Sequence, residues 1–560
     1  MLAASLAAGC TTSAVRLQSP EADEFVRIEE SVKRVGDYTR PVGMQFLKVE
    51  SVGLATGLHG TGSDPPPNSR RGTLISEMQQ RGVSNPNQVL GSPATSLVLV
   101  RGYLPPGIRK GDRFDVEVRV SSKSETASLA DGWLMQTRLR EMVVLGAGIR
   151  EGHELGLAEG SIMVDALVKG DADSVSMIRG RVLGGAIAAR TRDLGLSIRN
   201  QHQSVRISAI LGIAINKRFH VFEQGVKRGV ANPRTDEYLD LIVHPAYRNN
   251  IVRYVRVVDQ IPLRMTAADD LAHLQMLERQ LLDPATSGKA ALQLEAIGRT
   301  AADVLAKALK SNDGAVRFYS AEALAYLDDE RAVPVLAATA RTERGNRWHA
   351  LTALGAMTEL EAYDSLVEML HVESAEVRYG AFSQLYELND RDPVISGEML
   401  GGEFGLHELA TTGDPMVHIS RSRRAEIVIF GRDLQLQLPL LLFAGENLMI
   451  DGRQGDMLKI TQFRAGQPEQ HEYCSTALND VMRTVVQLGG SYPDVVEVLR
   501  KAKAEKYLDA RVVVDALPSA ARRPRDAERS TRATVAAVES EGSAAAGRRT
   551  ATKDIESTVR

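Results

Sequence analysis

Leu97 to Leu139 reads LVLVRGYLPPGIRKGDRFDVEVRVSSKSETASLADGWLMQTRL, and its patterning decides the fold class. Leu97, Val98, Leu99 and Val100 form an apolar run of strand length. Leu104-Pro105-Pro106-Gly107 then breaks it, because two prolines fix φ and withdraw two backbone donors. Phe114, Val116, Val118 and Val120 alternate strictly with Arg113, Asp115, Glu117 and Arg119. A period of two puts four apolar side chains on one face of a strand and four charges on the other. Such a sheet packs on one side and meets water or a neighbouring subunit on the other.

The chain has 560 residues, more than one hydrophobic core normally supports, so two to four domains are expected. Net charge is −3 and aromatics are 5%, which removes the electrostatic and stacking reasons to expect nucleic acid. No apolar run approaches the roughly 20 residues needed to span a bilayer. Leu6-Ala7-Ala8-Gly9-Cys10 has the form of a lipobox, so Cys10 is the expected lipidation site and Thr11 to Ala22 a polar spacer. A lipid there would leave Cys474 without an intramolecular partner.

Past Asp269 the pattern changes. Leu271, Leu274, Leu277 and Leu281 fall at helical spacing with Pro284 as the stop. A repeat of roughly thirty residues follows, the range of helical solenoids. Leu294-x-x-Ile297, Leu324-x-x-Leu327, Leu354-x-x-Met357 and Leu385-x-x-Leu388 occupy equivalent places, with Arg317, Arg347 and Arg378 opening the last three units. These units look like HEAT-type helix pairs, each burying its stripe against the next. Strands return at Ala425–Phe430, Leu434–Leu438 and Leu458–Phe463. A helix ending at Gly489-Gly490, a Pro493 helix and a strand at Arg511–Val514 follow.

Several of these segments together resemble the flagellar basal-body P-ring protein family. They are the glycine-rich Val52–Gly62, the Leu104-Pro105-Pro106 and Gly111–Val118 strands, Leu157–Val164, Asn479–Arg483 and Leu488-Gly489-Gly490-x-x-Pro493. The resemblance implies an α+β multidomain fold: mixed, sheet-rich P-ring-like domains with an inserted α-helical HEAT-like solenoid. The expected division is 1–23 signal and spacer, 24–264 and 396–517 P-ring-like, 268–395 HEAT-like, and 518–560 disordered. It further implies a structural subunit of a periplasmic homo-oligomeric ring around the distal rod, supporting motility. The partners it implies are rod and L-ring proteins and peptidoglycan. The alternative is an envelope lipoprotein adaptor that binds protein partners through the repeats. The repeat block is read as an added docking surface whose removal spares the rest.

No enzyme is expected, nor any cofactor or metal. Gly60-Thr61-Gly62 lacks the third glycine of a dinucleotide fingerprint, and no Gly-Lys-Ser/Thr follows it. His471 and Cys474 lack a third orienting residue. His349, His371 and His407 show no metal-ligand spacing. The basic pairs at Arg70-Arg71, Arg421/Arg423/Arg424 and Arg522-Arg523 read as solvated surface, or as contacts to an anionic wall polymer or an acidic rod subunit.

Overall fold

The computed structural model describes residues 32–518 except 122, 146–147, 167–173, 264–266, 445–446 and 464–467. Cys10, the spacer, Arg522-Arg523 and the tail lie outside the described residues.

A short helix α1 (Val35–Tyr38) leads into β1 (Thr39–Val42) and β2 (Leu47–Thr56). Helices α2 (Ser69–Gln80) and α3 (Pro86–Leu90) precede β3 (Ser96–Leu104), β4 (Arg113–Val120), β5 (Trp133–Leu145), β6 (Gly148–Ser161) and β7 (Met163–Val164). Helix α4 (Ser174–Met177) and β8 (Arg179–Ala188) follow. The strand order is β4-β3-β2-β5-β6-β8-β7, and β4 also pairs with β8. Six antiparallel strands thus close into a barrel, which removes the edges an open sheet would expose. The alternation along β4 fills the interior: Phe114, Val116, Val118 and Val120 are all buried there. Phe114 lies over two glycines, and a Cβ on Gly102 would come within 2.6 Å of its ring. One outer wall is covered by α2 and α3, through Leu74, Met78 and Leu90 on Leu54 and Leu97.

The chain then builds an α/β lobe. Its elements are β9 (Leu194–Ile198), α5 (Val205–Arg218), the hairpin β10 (His220–Glu223) and β11 (Val226–Gly229), β12 (Ala231–Pro233), β13 (Tyr238–Leu241) and α6 (Ile251–Gln260). Its sheet runs β1-β9-β13-β12. The HEAT-like array follows as α7 (Ala267–Leu282), α8 (Ser287–Ile297), α9 (Ala302–Ala308), α10 (Gly314–Ala325), α11 (Val333–Thr342), α12 (Arg347–Leu354), α13 (Leu360–Met369) and α14 (Ala375–Leu388). The expected anchors Leu294, Leu324, Leu354 and Leu385 are all buried.

A C-terminal lobe completes the described residues. Strands β14 (Gly397–Leu400), β15 (Phe404–Leu409), β16 (Met416–Ile419) and β17 (Glu426–Phe430) are joined by β22 (Arg511–Val514). The second sheet is β18 (Leu441–Ala444), β19 (Leu448–Asp451), β20 (Leu458–Gln462) and β21 (Gln470–Cys474), with helices α15 (Leu478–Gln487) and α16 (Tyr492–Ala504). One expectation fails here. Leu434–Leu438 forms no strand; Gln435 and Leu436 make single bridges to Ala477 and Leu508, so the alternation marks an extended wedge.

The solenoid shares its core with the lobes on either side. One continuous core runs from Leu196 and Tyr254 through the repeats to Val428 and Phe430. Buried polar clusters sit at both ends. Arg253 of α6 pairs with Glu295 at 2.6 Å and Glu322 at 2.5 Å, while Tyr247 donates to Glu295 at 2.6 Å. At the far end Tyr379 donates to Glu426 at 2.6 Å, Arg424 pairs with the same carboxylate at 3.1 Å, and His418 stacks on Tyr379. An isolated charge in such a core would be costly, so each cluster holds only while both of its sides are present. Removing 268–395 would strip one side from each.

Candidate functional site

The polar face of β4 divides in two. In its upper half the chain itself reaches over Asp115, leaving Arg113 exposed. Asp115 accepts from the backbone N–H of Gly184 and of Arg423, both at 2.8 Å, and Arg113 donates to the Gly184 carbonyl at 3.0 Å. Burial holds the Asp115 carboxyl above its ordinary range, against the pull of those two donors. The sequence pattern read all four charges as one wet face. Asp115 instead fastens the barrel to the C-terminal lobe.

The lower half opens into a groove of about 590 Å³ on the outer wall, between strands β2 to β5 and helix α2. Glu50, Arg101, Glu117, Arg119, Arg138 and Arg140 rise from the strands, and Arg70, Thr73 and Glu77 descend from the helix. Asn68 caps that helix by accepting from the Arg71 N–H at 2.9 Å. Arg71 turns away to a bidentate pair with Asp64, so of the two adjacent arginines Arg70 alone lines the groove. Arg101 and Lys48 both reach Glu50, at 2.6 and 2.8 Å. Burial works against the Glu50 charge, but the two cationic donors outweigh it and its carboxyl sits below the ordinary value. Arg138 reaches Glu154 at 3.7 Å. The groove therefore presents guanidinium donors at several depths. It suits carboxylate or phosphate groups on a partner surface.

The remaining sequence candidates scatter. Gly57 and Gly60 have positive φ at turns, and Gly62 has no room for a Cβ beside the Thr95 carbonyl, so the glycine cluster serves chain reversal. Cys474 is buried, its thiol pushed up by burial, whereas His471 three residues earlier is exposed. His349 lies 3.5 Å from Glu322, Thr412 donates to His371 at 3.1 Å, and His407 bonds the Ile395 carbonyl at 2.8 Å. Each has a local structural partner. Arg424 is consumed by Glu426, Glu387 and the Tyr386 ring. Glu330, Glu359 and Glu361 bring carboxylate oxygens within 4.8 Å of one another on the solenoid surface. No spacing rule would have found either the groove or this triplet, since each is assembled from separate elements.

Among the described residues no helix is long and apolar enough to cross a membrane. The family model for Flagellar P-ring protein matches residues 34–272, and that for HEAT repeats matches residues 302–386. The Flagellar P-ring protein of Thermotoga maritima is 27% identical over 41% of this chain and 67% of its own length. That of Geobacter sulfurreducens is 25% identical over 41% and 61%, and that of Chromohalobacter salexigens 32% over 28% and 41%. The chain thus spans two thirds or less of the length of these relatives. Among solved structures, a chain of the CpcE–CpcF phycocyanin lyase complex from a Nostoc species is 24% identical. It covers 22% of this chain and 81% of its own, at a TM-score of 0.18. The P-ring match thus falls on the barrel and the α/β lobe and the HEAT-repeat match on the helical array, and the similarity to these relatives supports a P-ring role.

Proposed function

We propose that this chain is a structural subunit of the flagellar basal-body P ring. Many copies assemble as a periplasmic ring around the distal rod and support motility. The observation that carries this reading is the family match over 34–272, which spans the barrel wall bearing the arginine groove. Residues 24–264 and 396–517 act as one subunit, fastened at Asp115. The groove faces acidic groups of a rod or L-ring protein, or of the peptidoglycan layer. A lipid at Cys10 anchors the subunit to the outer membrane, and no catalytic step is assigned. The HEAT-like block acts as an internal strut between the two lobes.

The test is removal of the chain from its flagellated host. Loss of motility, with basal bodies that lack the P ring and regain it on complementation, supports the reading. Complete basal bodies in cells lacking the chain would contradict it and favour an envelope adaptor.

A further inference from the structure

Among the described residues the three most exposed large apolar side chains are Val205, Ile213 and Phe222, at 76%, 71% and 69%. All three lie on α5 and the hairpin that follows it. Val205, Ala209 and Ile213 recur every four residues, so they form one stripe along the solvent side of α5, opposite the buried Leu211 and Ile215. Soluble proteins rarely leave such apolar surface concentrated unless something covers it. The rim is basic. Arg206, Lys217 and Lys227 are exposed and pair with no carboxylate among the described residues.

The next most exposed large apolar side chain is Leu360, at 66%. It opens α13, between Glu359 and Glu361, and Glu330 completes the triplet of converging carboxylates. Three like charges at this spacing repel one another, and among the described residues no cation is paired with any of them. One surface is thus apolar with unpaired cations, and the other is apolar with unpaired anions. The two sit on different elements, α5 with its hairpin and α13, so a single copy displays both.

We infer that these surfaces dock on each other between copies. The α5 stripe of one subunit covers Leu360 of the next, and Lys217 or Arg206 neutralises the acidic triplet. Because the two patches differ, the contact is head-to-tail, the class that generates rings rather than closed dimers. This inference rests on the ring reading and assigns it a specific interface. Its occupant is a second copy of this chain, chosen by charge complementarity.

The test is cross-linking in the flagellated host, with the full-length chain carrying Ile213→Cys and Leu360→Cys together, treated with a short bismaleimide. A ladder of dimers and higher multimers is expected. Either cysteine alone should give no ladder. Adding Lys217→Glu to the double-cysteine chain should lower the yield at least tenfold, and adding Glu361→Lys to that chain should restore it. A chain that enters basal bodies but gives no ladder would overturn the interface and leave the ring reading standing. Absence of the unmodified chain from basal bodies would overturn both. Both positions are exposed, so the variants should fold, and circular dichroism of the purified variants checks it.

Discussion

The backbone N–H of Arg423 donates to Asp115 Oδ2 at 2.8 Å across 308 residues of sequence. With the Gly184 N–H on the other oxygen, one half-buried carboxylate ties the barrel to the C-terminal lobe. Asp115→Ala leaves both N–H groups without an acceptor, at about 1–3 kcal/mol each. Asp115→Asn keeps one acceptor oxygen and should lose roughly half as much. Urea unfolding of the two variants beside the wild type checks the order. Equal stability of all three would mean the contact does not hold the lobes.

Inside the barrel, Phe114 occupies the space that Gly102 and Gly156 leave by lacking side chains. Gly102→Ala places a methyl against the Phe114 ring and should destabilise by about 1–3 kcal/mol through overpacking. Combining it with Phe114→Leu should recover part of that loss, which a double-mutant cycle would measure as coupling. Phe114→Asp and Val116→Asp bury an unpaired charge in the barrel and should abolish folding. Loss of cooperative thermal unfolding is the readout.

The strut reading makes a demand on Glu295. Its carboxylate holds Arg253 and Tyr247 at once inside the core. Glu295→Ala leaves Arg253 with Glu322 alone and the buried Tyr247 hydroxyl without its acceptor, and should cost about 1–3 kcal/mol. Excision of 268–395 should give a chain that aggregates or is proteolysed, where an unmodified chain is resistant. A soluble, protease-resistant excised chain would restore the picture of a separable block.

Two histidines contribute to the acid limb of stability, His418 buried and His244 half-buried. Burial depresses His418 to about 3, and burial with the nearby Arg218 charge depresses His244 to about 4, from an unfolded value of 6.5. Both stay neutral when folded, so below pH 6.5 the unfolded chain takes up the protons. Stability present at neutral pH is then lost as the pH falls from 6.5 toward 4. At pH 5 each histidine should account for about 2 kcal/mol of that loss. His418→Phe should lose less than the wild type between pH 7 and pH 5, despite leaving the Ala516 N–H unpaired. Parallel denaturation curves at the two pH values decide it.

Much of the barrel was legible because one strand face is apolar without exception, and Phe114 to Val120 could face nothing but a core. The repeats were legible for the same reason, since Leu294, Leu324, Leu354 and Leu385 recur at the period of a helix pair. Closure was not. The pairing of β4 with β8 joins segments about sixty residues apart, and nothing in the local pattern distinguishes an open sheet from a barrel. Asp115 and Arg119 look equivalent in sequence, yet one is covered by a lobe 308 residues away and the other lines a groove. Leu434–Leu438 has a strand's alternation but lacks the neighbours to make a ladder. The end clusters around Arg253 and Glu426 were invisible for a related reason: their members come from different lobes.

The most direct test is electron cryotomography of basal bodies in cells whose copy of this chain carries a compact tag at its C-terminal end. A ring of added density at the P-ring level around the distal rod, one mass per subunit, is the result expected. Intact P rings without added density, with the tagged chain recovered elsewhere in the envelope, would contradict a P-ring subunit.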